Sequence, residues 1–229
     1  MKLSNIEHVF FDLDHTLWDF DKNSGFTFSE IFKKWDIPLN LDEFLGVYIK
    51  INLKYWELYR NDKISQEMLR YGRLKDSFDA LKFRTSDDVI YGLSKDYMEY
   101  LPKNTHLLTG TLEILPYLKN KYKLHIITNG FENVQRRKLT TSGILDFFHT
   151  ITTSEEAGVK KPNGLIFRKA LEKAKAVAER SVMIGDNYEA DILGSENSGF
   201  QSIYFDYYRT EENSDIKQIQ TLKELVKFL

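Results

Sequence analysis

His8-Val9-Phe10-Phe11-Asp12-Leu13-Asp14-His15-Thr16-Leu17-Trp18-Asp19 opens as an apolar run and turns acidic. Val9 to Phe11 has the continuity of a strand buried on both faces, as in a parallel sheet. The run stops at Asp12, and Asp14 is the next polar side chain that matters. Residues two apart on a strand project to the same side. Asp12 and Asp14 are therefore expected to face one site at the carboxyl end of a strand, where open α/β sheets bind ligands. Adjacent carboxylates repel unless one is protonated or a cation sits between them. One can attack as a nucleophile while the other passes protons. The pair can equally hold a magnesium ion, which prefers hard oxygen ligands. An acid pair after a strand also serves as a plain turn or helix cap, so the choice rests on the remainder of the chain.

From Phe20 to Leu101 the pattern is amphipathic and helical, with almost no strand signal. Asp21 or Asn23 is expected to cap a helix toward Trp35, and Asn40 or Asp42 a second beyond Pro38. Asn61-Asp62-Lys63 reads as a turn. Ser65 opens a third helix through Leu69, Leu74 and Phe78, and Ser86-Asp87-Asp88 a fourth that ends before Pro102. Four consecutive helices with short links make a bundle. It lies between the first strand and everything later, so it is an insertion.

At Thr109-Gly110-Thr111 the pattern changes. Strands are expected at Lys123–Thr128, Phe148–Thr152, Val182–Gly185 and Ser202–Phe205. Helices are expected at Leu112–Leu118, Phe131–Leu139, Pro162–Ala176, Ala190–Ser198 and Leu222–Phe228. Thr210 to Ser214 reads as a polar loop. This alternation predicts an α/β fold, a doubly wound parallel sheet with helices on both faces. The expected boundaries are 1–19 plus 102–229 for the α/β core and 20–101 for the helical insertion.

Three further signals fall at strand ends. Ile126-Ile127-Thr128-Asn129-Gly130 closes a strand with a hydroxyl, an amide and a glycine that permits a tight turn. Free N–H groups at the next helix start, with the Thr128 hydroxyl, can form an anion site, although Thr-Asn-Gly is also an ordinary cap. Gly158-Val159-Lys160-Lys161-Pro162 puts a lysine before a helix whose first residue is proline. Such a lysine can carry positive charge to a phosphate, or lie solvated at the surface. In Ile184-Gly185-Asp186-Asn187-Tyr188-Glu189-Ala190-Asp191, Asp186 follows a strand and Asp191 lies about one helical turn on. A cap needs only one of those acids.

The composition narrows the chemistry. The chain has 229 residues, a formal net charge of -2 and no cysteine. That length suits one α/β domain with an inserted unit, or one large domain. Near-neutral charge leaves no footprint for nucleic acid or an anionic membrane. Without cysteine there is no disulfide, thiol nucleophile or cysteine-ligated zinc. Glu7, Asp12 and Asp14 interrupt the apolar region a signal peptide would need, and no run has the length of a membrane span. The expectation is a soluble, cytoplasmic protein, a monomer or weak homo-oligomer, with no nucleic-acid or membrane partner.

The ordered set of acid pair, Thr-Asn-Gly, lysine before proline and second acid cluster is not what capping predicts. It resembles the haloacid dehalogenase superfamily of magnesium-dependent phosphatases. Asp12-Leu13-Asp14-His15-Thr16 looks like the first motif, Thr128 the second, Lys161 the third and Gly185-Asp186 through Asp191 the fourth. The inserted helices resemble that family's cap of the first class. Ile127 to Phe131, Ser154 to Asn163, Gly185 to Gly194 and the stretches Tyr55–Tyr59 and Tyr71–Arg73 resemble the branch acting on pyrimidine nucleoside monophosphates. His15 is a departure, since many members carry glycine or an acid there.

The resemblance implies a phosphomonoester hydrolase with a Mg2+ cofactor and a small-molecule phosphate ester, a nucleoside monophosphate, as substrate. Asp12 would form an aspartyl phosphate, and Asp14 would protonate the leaving alkoxide and then activate water. Asp12, the Asp14 backbone carbonyl and Asp186 would be metal ligands, with Asp191 holding a metal water or orienting Lys161. Thr128, the backbone at Asn129 and Gly130, and Lys161 would bind phosphate oxygens. Trp18, Phe20, Tyr48, Tyr55, Trp56 and Tyr59 are read as cap aromatics, mostly core. Arg60, Arg73, Asn52 or Gln66 are candidates to meet a pyrimidine edge. The alternatives are a sugar-phosphate phosphatase or phosphomutase with the same motifs and, more remotely, a non-catalytic phosphate-binding module. A dehalogenase would not need Asp14, and a phosphorelay receiver domain is far shorter.

Overall fold

Six parallel strands form one sheet: β1 (His8–Phe11), β2 (Lys123–Thr128), β3 (Phe148–Thr153), β4 (Ser181–Gly185), β5 (Gln201–Phe205) and β6 (Gln218–Ile219). Their order is β3-β2-β1-β4-β5-β6. The computed structural model describes residues 2–209 and 216–229, so the loop expected at Thr210 to Ser214 lies outside the described residues. The expected α/β class is the one found. The two-residue strand β6 had no sequence signal, because so short a run carries no period.

The strand order sets the position of the site. From β1 the chain builds outward through β2 and β3, then returns to the other side of β1 with β4. The carboxyl ends of β1 and β4 thus flank a topological switch point, where an open sheet leaves a crevice. Register sharpens this. Phe11 lies beside Ile126 on one side and Ile184 on the other. The Asp12 N–H donates to the Ile184 carbonyl at 2.9 Å. The residue after β1 is therefore level with the ends of β2 and β4. All of β1 and β4 is buried, as their unbroken apolar runs require.

The chain divides into two compact units, Met1–Phe20 with Thr105–Leu229, and Asp21–Asn104. The second is all helical: α1 (Phe20–Lys34, entering from the first unit), α2 (Leu41–Arg60), α3 (Gln66–Ala80) and α4 (Asp87–Tyr100). Asn40, Ser65 and Ser86 cap α2, α3 and α4, each side chain accepting a backbone N–H of the first turn. Asp21 and Asn23 do not cap α1. The helix opens at Phe20, with Asp21 in its first turn and Asn23 buried within it. Phe28, Phe32, Phe44, Tyr48, Phe78 and Tyr97 make a buried aromatic core, with ring centroids of Phe28 and Tyr48 4.6 Å apart. Arg73 and Asn52 belong to that interior. Arg73 Nη1 donates to Asn52 Oδ1 at 2.9 Å and the guanidinium lies 5.0 Å from the Tyr97 ring. Both are buried in that interior, so they are not displayed for a pyrimidine edge.

The core unit adds α5 (Thr111–Lys119), α6 (Glu132–Thr141), α7 (Ser154–Ala157), α8 (Gly164–Ala174) and α9 (Gly194–Glu196). Phe10 packs on one face of the sheet with Ile166, Phe167 and Ala170 of α8. Phe11, one residue on, meets Phe148 edge-on. Three helix readings need correction. Helix α8 starts at Gly164 and not Pro162. The Lys161-Pro162 peptide is cis, the Asn163 N–H bonds the Lys160 carbonyl at 2.9 Å, and Asn163 caps the helix. The helix expected from Ala190 begins at Tyr188 and is wound as a π-helix to Leu193, capped by Asn187. The closing helix is a 3-10 helix, Leu222–Lys227. Among the described residues, no helix is long and apolar enough to cross a membrane.

Candidate active site

Beyond Phe11 the chain leaves the sheet. Leu17 and Trp18 both donate to the Leu13 carbonyl, the His15 N–H bonds Trp18, and His15 is held at a φ of 58°. Positive φ is uncommon outside glycine, though histidine tolerates it better than most residues. The period-two argument for Asp12 and Asp14 therefore fails at Asp14, because the strand has already ended in a tight loop. The two carboxylates go to different partners.

The Asp12 carboxylate joins those of Asp186 and Asp191, with one oxygen of each within 4.8 Å of the others. Lys161 Nζ anchors the group. It lies 2.6 Å from Asp12 Oδ1, 2.7 Å from Asp191 Oδ1 and 2.7 Å from the Ile127 carbonyl. Lys161 is thus buried and not a solvated surface lysine. Its backbone is fastened by Asn129, whose side chain accepts the Lys161 N–H at 2.7 Å and donates to its carbonyl at 3.1 Å. Asp186 Oδ1 accepts the Thr16 hydroxyl at 3.0 Å, and His15 Nδ1 lies 4.0 Å from Asp186 Oδ2. Asp191 Oδ2 accepts the Asn187 N–H at 3.0 Å. Gly185 makes room for this: a Cβ there would collide with the Asp191 carboxylate.

The electrostatics are those of a site that wants a cation. Burial pushes the Asp12 carboxyl up, against the pull of Lys161, and the neighbouring Asp191 and Asp186 push the same way. Burial likewise raises Asp186 to about 6, with His15 opposing it and Asp191 adding to it. Burial draws the Lys161 ammonium down, but Asp12 and Asp191 outweigh it and hold its pKa above the ordinary lysine value. One ammonium against three carboxylates leaves negative charge uncompensated. The donors are all oxygen, as magnesium requires.

Asp14 is absent from that cluster. Its Oδ1 lies 2.6 Å from Lys138 Nζ and its Oδ2 accepts Gln135 Nε2 at 3.0 Å. The same Nε2 donates to Thr128 Oγ1 at 2.8 Å, which also accepts the Gly130 N–H at 3.1 Å. With two N–H donors on its oxygen, the Thr128 hydroxyl has its own proton left to donate. Gly130 is needed for space and not for a positive φ, since a Cβ would strike Gln135. Trp18 and Phe20, read with the cap aromatics, belong to the core unit, where their rings lie 4.2 and 5.2 Å from Lys138 Nζ. The His15 ring packs with Phe20 and Tyr207.

Gln135, Lys138 and Thr16 had no role in the sequence reading. Gln135 and Lys138 did leave a signal. With Leu139 they are the buried residues of α6, at the spacing of an inward face. Two polar side chains there require partners. Thr16 left no signal beyond lying in the first motif.

Residues 9–205 match the family described as Haloacid dehalogenase-like hydrolase. The pyrimidine 5'-nucleotidase YjjG of Escherichia coli is 30% identical over 218 residues, covering 95% of this chain and 93% of that protein. A glyceraldehyde 3-phosphate phosphatase of Methanothermobacter thermautotrophicus is 30% identical over 236 residues, covering 96% and 100%. The magnesium-bound structure of the HAD-hydrolase YfnB of Bacillus subtilis superimposes with a TM-score of 0.87 at 25% identity, covering 98% of both chains. A match across most of the chain, with a like fold and relatives similar over nearly their whole length, means that this chain belongs to the haloacid dehalogenase-like hydrolases.

Proposed function

We propose that this hydrolase cleaves phosphomonoesters through a phosphoenzyme on Asp12, and that its substrates are pyrimidine nucleoside 5'-monophosphates. The observation that carries the chemistry is the Asp12 carboxylate held 2.6 Å from the Lys161 ammonium within the three-carboxylate cluster at the switch point. The Asp12 carboxylate, held by Lys161 through Oδ1, attacks phosphorus. As that bond forms, the bond to the ester oxygen breaks and Asp14 hands the leaving alkoxide a proton. Asp14 then takes a proton from water, whose oxygen displaces Asp12 and releases inorganic phosphate. The Thr128 hydroxyl donates to a phosphate oxygen, and Lys161 offsets charge on the phosphoryl group.

Asp12, Asp186 and the Asp14 carbonyl suit a magnesium ion. Asp191 Oδ1 lies 2.7 Å from Lys161 Nζ and Oδ2 accepts the Asn187 N–H, which fits Asp191 for orienting Lys161 or holding a metal-bound water. When bound, magnesium supplies the positive charge that lets a carboxylate approach a phosphate dianion. That the similar YfnB structure is bound to magnesium supports the choice of this cation.

The nucleotide reading rests on the likeness to YjjG. The inserted helical unit is assigned the choice of leaving group, as the family resemblance implies. A sugar-phosphate phosphatase is the second reading, favoured by an equal identity to the glyceraldehyde 3-phosphate phosphatase. Steady-state kcat/KM for dUMP, dTMP, dAMP, glucose 6-phosphate and glyceraldehyde 3-phosphate, with magnesium and with chelator, separates the two. Pyrimidine nucleotides should lead, purines should come behind by a graded margin, and chelator should abolish turnover. Asp12→Asn should release no phosphate while its circular dichroism is unchanged. A sugar phosphate well ahead of every nucleotide would replace the substrate assignment, and turnover by Asp12→Asn would refute the phosphoenzyme.

A further inference from the structure

We propose that Lys138 and Gln135 are positioning residues that grip both oxygens of the Asp14 carboxylate and aim it at the leaving group. The proposal rests on the phosphomonoesterase reading above and deepens it. Both side chains come from the inward face of α6, and both residues are buried. Lys138 Nζ holds Asp14 Oδ1 at 2.6 Å, and Gln135 Nε2 holds Oδ2 at 3.0 Å.

A carboxylate bonded through one oxygen still swings about its last torsion. Bonded through both, from two points on one helix, it has a fixed plane. Each oxygen offers about two lone-pair directions. One donor on each leaves room for the proton Asp14 passes, so the grip is compatible with proton transfer. Gln135 also bonds Thr128 Oγ1 at 2.8 Å. The group that donates to the ester oxygen and the group that binds the phosphate are thus joined through one amide nitrogen.

Burying a lysine is costly unless it is paired. Here the ammonium has the Asp14 carboxylate and the Trp18 ring face, 4.2 Å from its centroid. The chain has a second buried lysine, Lys161, for the Asp12 side of the site. The two carboxylates of the first motif therefore carry separate ammonium partners. Lys161 serves the attacking group and Lys138 the proton-passing one.

A purely structural Lys138 would not care which ester is cleaved, and a positioning one would. The test measures kcat/KM for dUMP and glucose 6-phosphate, whose alkoxides need a proton, and for p-nitrophenyl phosphate, whose phenolate departs without one. It compares wild type, Lys138→Met, Asp14→Asn and the double variant, with melting temperatures for all. Lys138→Met should lose about 10- to 100-fold on the alkyl esters and less than about threefold on the phenyl ester. The double variant should be no worse than Asp14→Asn, since the grip has nothing left to hold. If Lys138→Met does not fold, Gln135→Leu carries the same comparison, with the same leaving-group split at smaller size. Equal losses on alkyl and phenyl esters, or losses that multiply in the double variant, would overturn the positioning role while leaving the hydrolase chemistry intact. A wild-type protein that cleaves none of the three esters would overturn the phosphomonoesterase reading, and this proposal with it.

Discussion

At the scale of single residues, this chain keeps buried ionisable groups where another side chain answers them. Lys161 and Lys138 are two cases, and the histidines of the sheet are a third. His8 Nδ1 and His125 Nε2 lie 3.0 Å apart, and His125 Nδ1 lies 2.8 Å from Thr150 Oγ1. Burial, with His8, His149 and Lys123 acting in the same direction, lowers His125 from 6.5 to about 3. Burial also lowers His8, with Lys123 and His149 in the same direction and Glu7 opposing. Between these values the unfolded chain binds a proton that folded His125 does not. The contribution to stability is therefore complete above 6.5 and is lost progressively as the pH falls toward about 3. The urea midpoint should drop between about pH 7.5 and about pH 5, and His125→Gln should show a shallower drop. Identical pH dependence in the two proteins would refute the assignment. Nothing in His8-Val9-Phe10 announces this pair, since its members are 117 residues apart and meet only through strand pairing.

At the scale of elements, the strands were legible and the helix ends less so. β2 was read to the residue, Lys123–Thr128, because a buried parallel strand is a plain apolar run between polar stops. Helix starts depend on which of several adjacent polar side chains turns back to the backbone. That is why Asp21 and Asn23 misled at α1 while Ser65 and Ser86 were right. The π-helix Tyr188–Leu193 shows the limit most clearly. Its residue types are ordinary, and its winding goes with the bond from the Asn187 N–H to Asp191, whose other oxygen meets Lys161. Gly185 is the hinge of that arrangement. Gly185→Ala would push a methyl into the Asp191 carboxylate, at a cost of about 1–3 kcal/mol for overpacking. Displacing Asp191 also releases Lys161, so the melting temperature and turnover should fall together. A variant that loses neither would show that the loop absorbs the methyl.

At the scale of the whole molecule, the carboxylates of Asp12 and Asp186 at the ends of β1 and β4, with Asp191 from the π-helix that follows, carry excess negative charge that a divalent cation would relieve. A ligand that binds only the folded state stabilises it by mass action, about 2.7 kcal/mol at a hundredfold excess over its dissociation constant. For a chain of this size that is roughly 2–4 °C per kcal/mol. Magnesium should therefore raise the melting temperature by several degrees over chelator, measured without any substrate. In Asp186→Ala the rise should be largely lost. An equal rise in both proteins would remove Asp186 from the metal site.

The alternation of strand and helix, the helical insertion and the strand ends where Asp12, Thr128 and Asp186 stand could all be read from local pattern. Each is written in periods of two or 3.6 residues, set by which face of an element is buried. Which of those groups meet depended on the folded chain. Asp12 and Asp14 are two residues apart and their carboxylates take different partners, because the chain has left the strand at Phe11 and turns tightly after Asp12. Asp12 and Lys161 are 149 residues apart and touch, because β4 returns to the side of β1 opposite β2 and folds the intervening chain around the strand ends. Gln135 and Lys138 acquire their partner in the same way, when α6 turns its inward face to a loop 121 residues earlier in the chain. Local pattern reports whether a residue is buried, and strand order decides what it is buried against.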